Sequence, residues 1–210
     1  RALVMSAPVD SDLLEPASWT KSNELPFDTN WLEGVGGIHT PSEYGYLEGN
    51  VVVAPDGSLK DILASNRRSS YDKAVMLDVS PDGTTVSFDR YIDLPGGGSK
   101  FTIRRDPVTG LYLTMGTRIT DKAYVDQRNV LSLGASSNLV DWILVKDLVT
   151  DNQPIPWEES VEKTGFQYAD WQFEGEDIVY LVRTAYFGAE NYHDSNRITF
   201  HRLPDYVPLL

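Results

Sequence analysis

The sequence contains no cysteine. Disulfide bridges, thiolate metal sites and cysteine nucleophiles are therefore excluded, and the redox compartment cannot be read from this residue type. Long apolar runs are also missing: stretches such as 143–145 fall far short of the roughly 20 residues that a membrane-spanning helix needs. We therefore expect a soluble chain with no membrane partner.

Basic residues are scarce. The chain has 18 Lys and Arg against 31 Asp and Glu, which gives a formal net charge of -13 at pH 7. Nucleic-acid binding depends on basic side chains that contact phosphates, so this charge balance argues against a nucleic-acid partner. The glycine-rich stretch 96–98 is not followed by a helical pattern, so it is not a phosphate-binding loop and no cofactor is predicted.

Short runs of β-branched and aromatic residues recur about every ten residues, separated by Pro, Asp and Gly. No stretch keeps a helical period for three turns, so the pattern predicts an all-β chain. The predicted strands are 1–6, 18–22, 47–53, 59–64, 73–79, 85–90, 100–105, 111–117, 129–135, 142–148, 166–173, 177–185 and 197–202.

Two kinds of turn alternate between these strands. Tight acidic hairpins lie at 54–57, 106–110 and 174–177, where Gly supplies a positive φ. Turns of the second kind begin with Ser, carry Asp or Asn shortly afterwards and end in an aromatic residue; they lie at 80–88, at 136–142 and, in a longer version, at 6–19. Their polar side chains can accept backbone N–H bonds, so we interpret them as a structural repeat.

This alternation indicates a β-propeller of four-stranded blades. We assign 1–25 to a half blade, 47–90 and 100–148 to two blades, and 166–210 to three strands of a closing blade. A chain of about three and a half blades cannot close a ring of roughly four to eight. We therefore predict that a second chain, or a cleaved N-terminal half, completes the propeller.

Several segments resemble the C-terminal part of sialidase-like propellers of bacteria and fungi, the group with repeated Asp-box (BNR) turns. These segments are 6–19, 47–53, 100–104, 165–173, 183–185 and 193–201. The resemblance implies a secreted protein, extracellular or periplasmic, with a carbohydrate partner. It implies a sialidase-like exo-glycosidase acting on glycans that contain an acidic sugar. Because many members share only the fold, two alternatives stay open: a polysaccharide lyase that cleaves next to a uronic acid, and a non-catalytic glycan-binding propeller.

The chain departs from this family at one position. Members often carry Arg after the Ile-Leu of the second blade strand, whereas this chain has Ala64, with Arg67 and Arg68 displaced into the following loop. Sialidases hold the substrate carboxylate with several Arg residues, because the planar guanidinium matches a carboxylate with two parallel hydrogen bonds. The departure puts a complete arginine clamp in question.

Propeller ligands bind over one mouth of the ring, so polar residues where the inner strands begin are candidate site residues. Glu48 and Asp170 are candidate general acids or bases, and Tyr168 is a candidate nucleophile or proton donor if a neighbouring base activates it. Strand alternation predicts that Tyr168 and Asp170 share one face while Gln167 lies on the other. Arg183 lies in an apolar strand and needs an anionic partner, either Asp170 or a substrate carboxylate.

The loop 191–196 contains the candidate catalytic residue His193, because a His beside carboxylates titrates near neutral pH. In the lyase alternative, His193 or His39 abstracts the proton beside a carboxylate that Arg183 or Lys100 neutralises. The remaining candidates are predicted to bind substrate and are Lys100, Asn50, Gln167, Asn196 and His39. No metal site is predicted; calcium at Asp194 and Asn196 is an alternative, although the spacing of a known calcium loop is absent.

Overall fold

The computed structural model describes residues 1–36, 45–65 and 71–210. Within these ranges the chain forms strands β1–β13 and one α-helix, α1, at Trp157–Lys163. The strands are β1 Met5–Ser6, β2 Thr20–Lys21, β3 Tyr46–Val53, β4 Leu59–Ser65, β5 Lys73–Val79, β6 Val86–Asp93, β7 Phe101–Arg105, β8 Tyr112–Thr117, β9 Val130–Ser136, β10 Ile143–Thr150, β11 Gly165–Glu174, β12 Asp177–Ala185 and β13 Arg197–Leu203.

The strands form four antiparallel sheets in which chain order is also the order across the sheet. We call β3–β6 the first full blade, β7–β10 the second full blade, β11–β13 the open blade, and β1–β2 the half blade. This arrangement of successive antiparallel meanders is that of a β-propeller, and it confirms the predicted fold class.

The inner strands β3, β7 and β11 are joined to one another in sequence order. The Asn50 side chain donates to Phe101 O at 3.1 Å and accepts from Ile103 N at 3.3 Å. The Thr102 hydroxyl donates to Ala169 O at 3.0 Å. These contacts align the three strands in one direction, so that all three begin at the same end of the molecule, which we call the mouth.

Apolar layers fill the spaces between neighbouring sheets. Ile62 and Met76 of the first full blade pack with Phe101 of the second, and all three are almost fully buried. On the other side of the second full blade, Leu133 packs with Trp171 of the open blade. Burial of this apolar surface is the main stabilising contribution to the fold.

The half blade covers only the outer part of the remaining face of the first full blade. Ala2 packs against Leu77, and Val4 packs against Val79. Val51 of the inner strand faces the same cavity and remains 50% exposed. The inner part of this face therefore has no covering strands among the described residues.

The acidic hairpins lie where the sequence predicts them, between the first two strands of each larger sheet. Gly57, Gly110 and Gly175 have φ values of 86°, 76° and 62°. These angles lie in the left-handed region, where a residue without a side chain is favoured. The hairpins therefore fix the start of each meander.

The Ser turns join the outer strands and contain the predicted backbone contacts. The Ser80 hydroxyl donates to Asp82 at 2.6 Å, and this bond, together with those from Thr84, lowers the pKa of Asp82 to about 2. Trp142 Nε1 donates to a backbone carbonyl at 2.8 Å, and Trp19 Nε1 does the same at 3.1 Å. The long turn at 6–19 therefore has the same type of indole anchor as the compact turn at 136–142.

Helix α1 lies in the segment 150–165, which the sequence predicts as a loop. It follows Pro156, carries Glu158 and Glu159 in its first turn and ends with Lys163, an arrangement that suits the helix dipole. Lys163 also pairs with Glu159 at 2.8 Å. Two helical turns are too few to give a detectable apolar period, and no helix in the described ranges is long and apolar enough to cross a membrane.

The open blade and the second full blade are linked at the end of the molecule away from the mouth by a buried hydrogen bond, from Tyr206 Oη to Asp106 Oδ1 at 2.7 Å. Tyr206→Phe should lower the free energy of unfolding by about 1–3 kcal/mol, because it leaves a buried carboxylate without one donor. Urea unfolding measures this change. Tyr71→Phe is the matched control, since the Tyr71 hydroxyl makes an exposed bond to Lys122 O; equal losses in both variants would contradict the assignment.

Candidate functional site

Two inner strands bring Glu48 and Tyr168 close together at the mouth, where the negative charge of Glu48 acts on the Tyr168 phenol. Both residues occupy irregular positions in their strands. Glu48 is the extra residue between Leu47 and Gly49, whose partners Ala64 and Leu63 are consecutive. Such bulges redirect side chains and are frequent next to active sites.

The second bulge lies in β11. Gln167 pairs with Arg183 and Asp170 with Leu181, so two residues, Tyr168 and Ala169, stand where regular pairing has one. Tyr168 has φ 53° and its side chain is 42% exposed. A left-handed backbone at a non-glycine residue costs about 1–3 kcal/mol and is typical of functional positions. The bulge breaks the predicted alternation, because Gln167 and Asp170 pair with Arg183 and Leu181, which lie on one face of β12. Within the bulge, Gln167 and Ala169 are buried while Tyr168 and Asp170 are exposed.

The electrostatic surroundings of Tyr168 keep its phenol protonated. Burial raises the pKa of Tyr168, and the negative charge of the nearby Glu48 raises it further, while the charges of Arg183 and Arg128 act in the opposite direction. The phenol therefore lies near a carboxylate that can accept its proton. This is the arrangement of a nucleophile activated by an adjacent base.

Arg183 stacks on the same tyrosine. Its Cζ lies 4.7 Å from the Tyr168 ring centroid, and its Nη2 donates to His193 O at 3.2 Å. Within the described residues its buried Nε has no hydrogen-bond partner, and the side chain forms no ion pair. Asp170, one of the two predicted partners, pairs instead with Arg104 at 3.0 Å. The Arg183 guanidinium therefore keeps at least one hydrogen-bond donor, Nε, that no group among the described residues accepts.

Arg128 contributes a second positive charge that the sequence analysis missed. The residue is 2% exposed, and its Nη1 donates to Gln127 O at 2.7 Å. Its charge also acts on Asp72, whose pKa is raised by burial although its carboxylate accepts from the backbone N–H groups of Gly96 and Ile119. The sequence did contain an indication of this role, because Arg128 lies just before the apolar strand β9, but the segment that contains it was interpreted as a loop.

Asp61 is a second carboxyl group that sequence reasoning missed. It lines an open cavity of about 350 Å³ that Glu48 and residues 1–5 also line. Asp61 is 4% exposed, and burial raises its pKa to about 6, while the charge of Lys100 acts in the opposite direction. Gly49 lies directly above it, and a Cβ there would collide with the Asp61 carboxylate. The signal was a charged residue next to the apolar run Ile62–Ala64.

Three predicted substrate-binding amides are occupied by backbone contacts. Asn50 joins β3 to β7, as described above. Gln167 Nε2 donates to Tyr192 O at 2.5 Å, and Asn196 Nδ2 donates to Tyr186 O at 2.7 Å. These groups position the inner strands and the loop 186–196 at the mouth.

The predicted loop residues lie at the mouth but are only partly connected to Tyr168. His193 is exposed, and its backbone carbonyl accepts a hydrogen bond from Arg183. Asp194 is hydrogen-bonded by Asn191. No group of three or more His, Cys, Asp and Glu side chains suited to a metal ion occurs in the described part of the chain. His39 lies outside the described residues.

No protein-family model and no curated protein matches this chain. Solved structures do match. The α-L-arabinofuranosidase of Fusarium graminearum with arabinobiose has a TM-score of 0.54 at 14% identity, over 80% of this chain and 48% of that chain. The Penicillium chrysogenum α-L-arabinanase complexed with arabinobiose has 0.53 at 14%, over 80% and 49%. An N-acetylgalactosamine deacetylase from F. plautii, with blood group B trisaccharide, has 0.51 at 15%, over 82% and 53%.

These similarities establish the fold and no more, because all three identities are low. They agree with the propeller prediction, whereas the resemblance to sialidases is not confirmed by them. The chain spans about half the length of the structures that it matches.

The raised pKa of Asp61 predicts a pH-dependent stability. Its folded-state pKa of about 6 exceeds the ordinary value near 3.9, so the folded state binds the proton more tightly than the unfolded state. The associated stability is fully present below about pH 4 and is lost as the pH rises through 6. Asp61→Asn should therefore raise the free energy of unfolding by about 2–3 kcal/mol at pH 8 and change it little at pH 4.

Urea unfolding at the two pH values checks this prediction. Asp82→Asn is the control of opposite sign, because a lowered pKa contributes stability that is lost as the pH falls. A loss of stability in Asp61→Asn at pH 8 would contradict the assignment.

Proposed function

We propose that this chain forms part of the active site of a glycoside hydrolase that acts on glycans bearing an acidic sugar. Tyr168 is the nucleophile and Glu48 is its base. The observation that carries the proposal is the arrangement at the mouth: two bulges bring the Glu48 carboxylate close enough to raise the pKa of Tyr168, and Arg183 stacks over the tyrosine ring.

The fold supports a carbohydrate substrate. Two of the matched structures, an α-L-arabinofuranosidase and an α-L-arabinanase, hold arabinobiose. Propellers of this shape thus accommodate short glycans, although a shared fold by itself does not transfer an activity. The choice of a hydrolase rests on the activated phenol and not on the comparison.

In the first chemical step, Glu48 accepts the Tyr168 proton while the phenolic oxygen attacks the anomeric carbon. The glycosidic C–O bond breaks, and the leaving oxygen takes a proton from an acid that we assign to the segment completing the ring. In the second step, water attacks the anomeric carbon, and the bond between that carbon and the phenolic oxygen of Tyr168 breaks. Glu48 returns its proton to the phenolate, and the water proton regenerates the acid.

Arg183 supports an acidic sugar as the substrate. Its Nε is buried without a partner in the described ranges, and a carboxylate is the group that matches a guanidinium fork. Ala64, where the sialidase-like family often has Arg, is fully buried in the layer between the two full blades. In this proposal Arg183 therefore binds the substrate carboxylate in place of the arginine that the family often has at the position of Ala64.

We further propose that blades outside residues 1–210 close the ring by packing on the open blade and on the inner part of the first full blade. Leu181 pairs with Phe200, and both face the same side as Ile198. Their exposed fractions are 49%, 63% and 65%, so they form a patch of large apolar side chains open to solvent on one face of the sheet. The occupant is the remainder of the same propeller, since the half blade already covers the outer part of one such face and the matched structures are about twice as long.

Replacement of Tyr168 tests the proposed mechanism. In the complete protein, Tyr168→Phe should lower kcat on acidic glycans by roughly 10²–10⁴-fold with little change in KM, because only the attacking oxygen is removed. Chromatography of the released sugars gives both constants, and Tyr71→Phe is the control. Full activity in Tyr168→Phe, or a product with the ultraviolet absorption of an unsaturated sugar, would overturn the mechanism.

Ring closure has a separate test. The chain 1–210 alone should self-associate and bind a hydrophobic dye, and Phe200→Asp should weaken both because it places a charge on the open face. Sedimentation and dye fluorescence measure these changes. Val108→Asp, which alters an exposed side chain in the β7–β8 hairpin, is the matched control. A compact, dye-free monomer with sharp thermal unfolding would contradict the proposal.

A further inference from the structure

The loop between β12 and β13 presents an aromatic ring to solvent at the mouth. Phe187 is 72% exposed and has φ 30°. It follows β12 by two residues, and β12 ends beside the start of β11, since Ala185 pairs with Gly165. Phe187 therefore lies at the same end of the molecule as Tyr168.

The backbone around Phe187 is held on two sides. Phe187 N donates to Gln153 Oε1 at 3.1 Å, and Asn196 Nδ2 donates to the carbonyls of Phe187 and Tyr186, at 3.3 and 2.7 Å. These bonds hold the backbone that carries the Phe187 ring. A single exposed apolar side chain is common, but a left-handed backbone favours glycine, so the phenyl ring occupies a position that a smaller residue would fill with less strain.

The exposure of Phe187 is independent of the open face. The neighbouring Tyr186 ring packs in the layer that faces the second full blade, 6.5 Å from the Phe166 ring. Its hydroxyl donates to Asn152 at 2.6 Å, in the segment that follows β10. The anchors of the loop thus lie on the side that is already covered, away from Leu181 and Phe200.

We propose that Phe187 is a stacking platform for a sugar unit away from the bond that is cleaved, so that the mouth binds an oligosaccharide. The proposal rests on the proposed function, in which Arg183 holds the terminal acidic sugar. Phe187 lies four positions after Arg183, a span of at most roughly 13–14 Å along the chain. A span of this length is sufficient for Phe187 to contact the second or third unit of a glycan whose terminal sugar Arg183 holds.

Stacking suits both surfaces. The face of a phenyl ring carries partial negative charge and attracts the C–H bonds on the apolar face of a sugar, while the sugar hydroxyl groups at the edge remain in water. Because the contact involves no reacting atom, it contributes equally to ground-state and transition-state binding. Its loss therefore raises KM and leaves kcat unchanged.

The test compares a short substrate with a long one in the complete protein. For a trisaccharide that ends in sialic or uronic acid, Phe187→Ala should raise KM about five- to tenfold with kcat within twofold. For an aryl glycoside of the same acidic sugar, both constants should stay at the wild-type values. Phe187→Trp should keep the wild-type KM on the trisaccharide, and Val108→Ala is the control for loss of an exposed apolar side chain.

A second variant separates binding from folding. Phe187→Gly should have a melting temperature equal to or above that of the wild type, because glycine relieves the left-handed backbone, and should still lose affinity for the trisaccharide. A lower melting temperature with unchanged KM would show that the ring has a structural role and would overturn the proposal. An equal rise of KM on both substrates would also overturn it.

Binding without turnover distinguishes this proposal from the proposed mechanism. Calorimetric titration of Tyr168→Phe with the trisaccharide, with and without Phe187→Ala, measures the platform alone. If the wild type cleaves nothing but Phe187→Ala weakens binding, the platform stands and the nucleophile assignment fails. If the trisaccharide binds equally well with and without Phe187, or does not bind at all, the platform is refuted.

Discussion

Every larger sheet in this chain is apolar on both faces, and no sheet can bury both faces by itself. In the first full blade, Ile62 faces the second full blade while Leu63 faces the half blade. Successive sheets must therefore stack face to face, and this stacking brings the inner strands side by side. The hydrogen bonds of Asn50 and Thr102 then fix their relative height, so that residues at the starts of β3 and β11 meet at one mouth.

At the mouth, one tyrosine experiences opposing charges. Glu48 stabilises the protonated phenol, whereas Arg183 and Arg128 favour the phenolate. A phenol in such surroundings is neutral at rest, but the positive charges reduce the free energy needed to move its proton to Glu48. The strained backbone of Tyr168 keeps the ring between these groups.

The sequence predicts local features of this site better than its contacts. Turn chemistry is local, so the hairpins, the Ser turns and hence the strand order could be predicted. Glu48 and Tyr168 could each be identified from their positions at strand starts. Their contact could not, because it depends on two bulges and on the stacking of three sheets. Arg128 and Asp61 were missed for a related reason: their burial arises from residues distant in the sequence. Helix α1 was missed because it is short.

The Glu48–Tyr168 contact spans β7, since its two residues come from inner strands on either side of the second full blade. The distance between their side-chain oxygens therefore depends on the angles between neighbouring blades and grows as those angles widen. In a closed ring the angles between blades must sum to a full circle, so they are constrained. In an incomplete ring each of these angles can change. In the proposed enzyme, closure of the circle is thus a geometric condition for proton transfer between the two side chains, so that assembly and chemistry are coupled through the curvature of the ring.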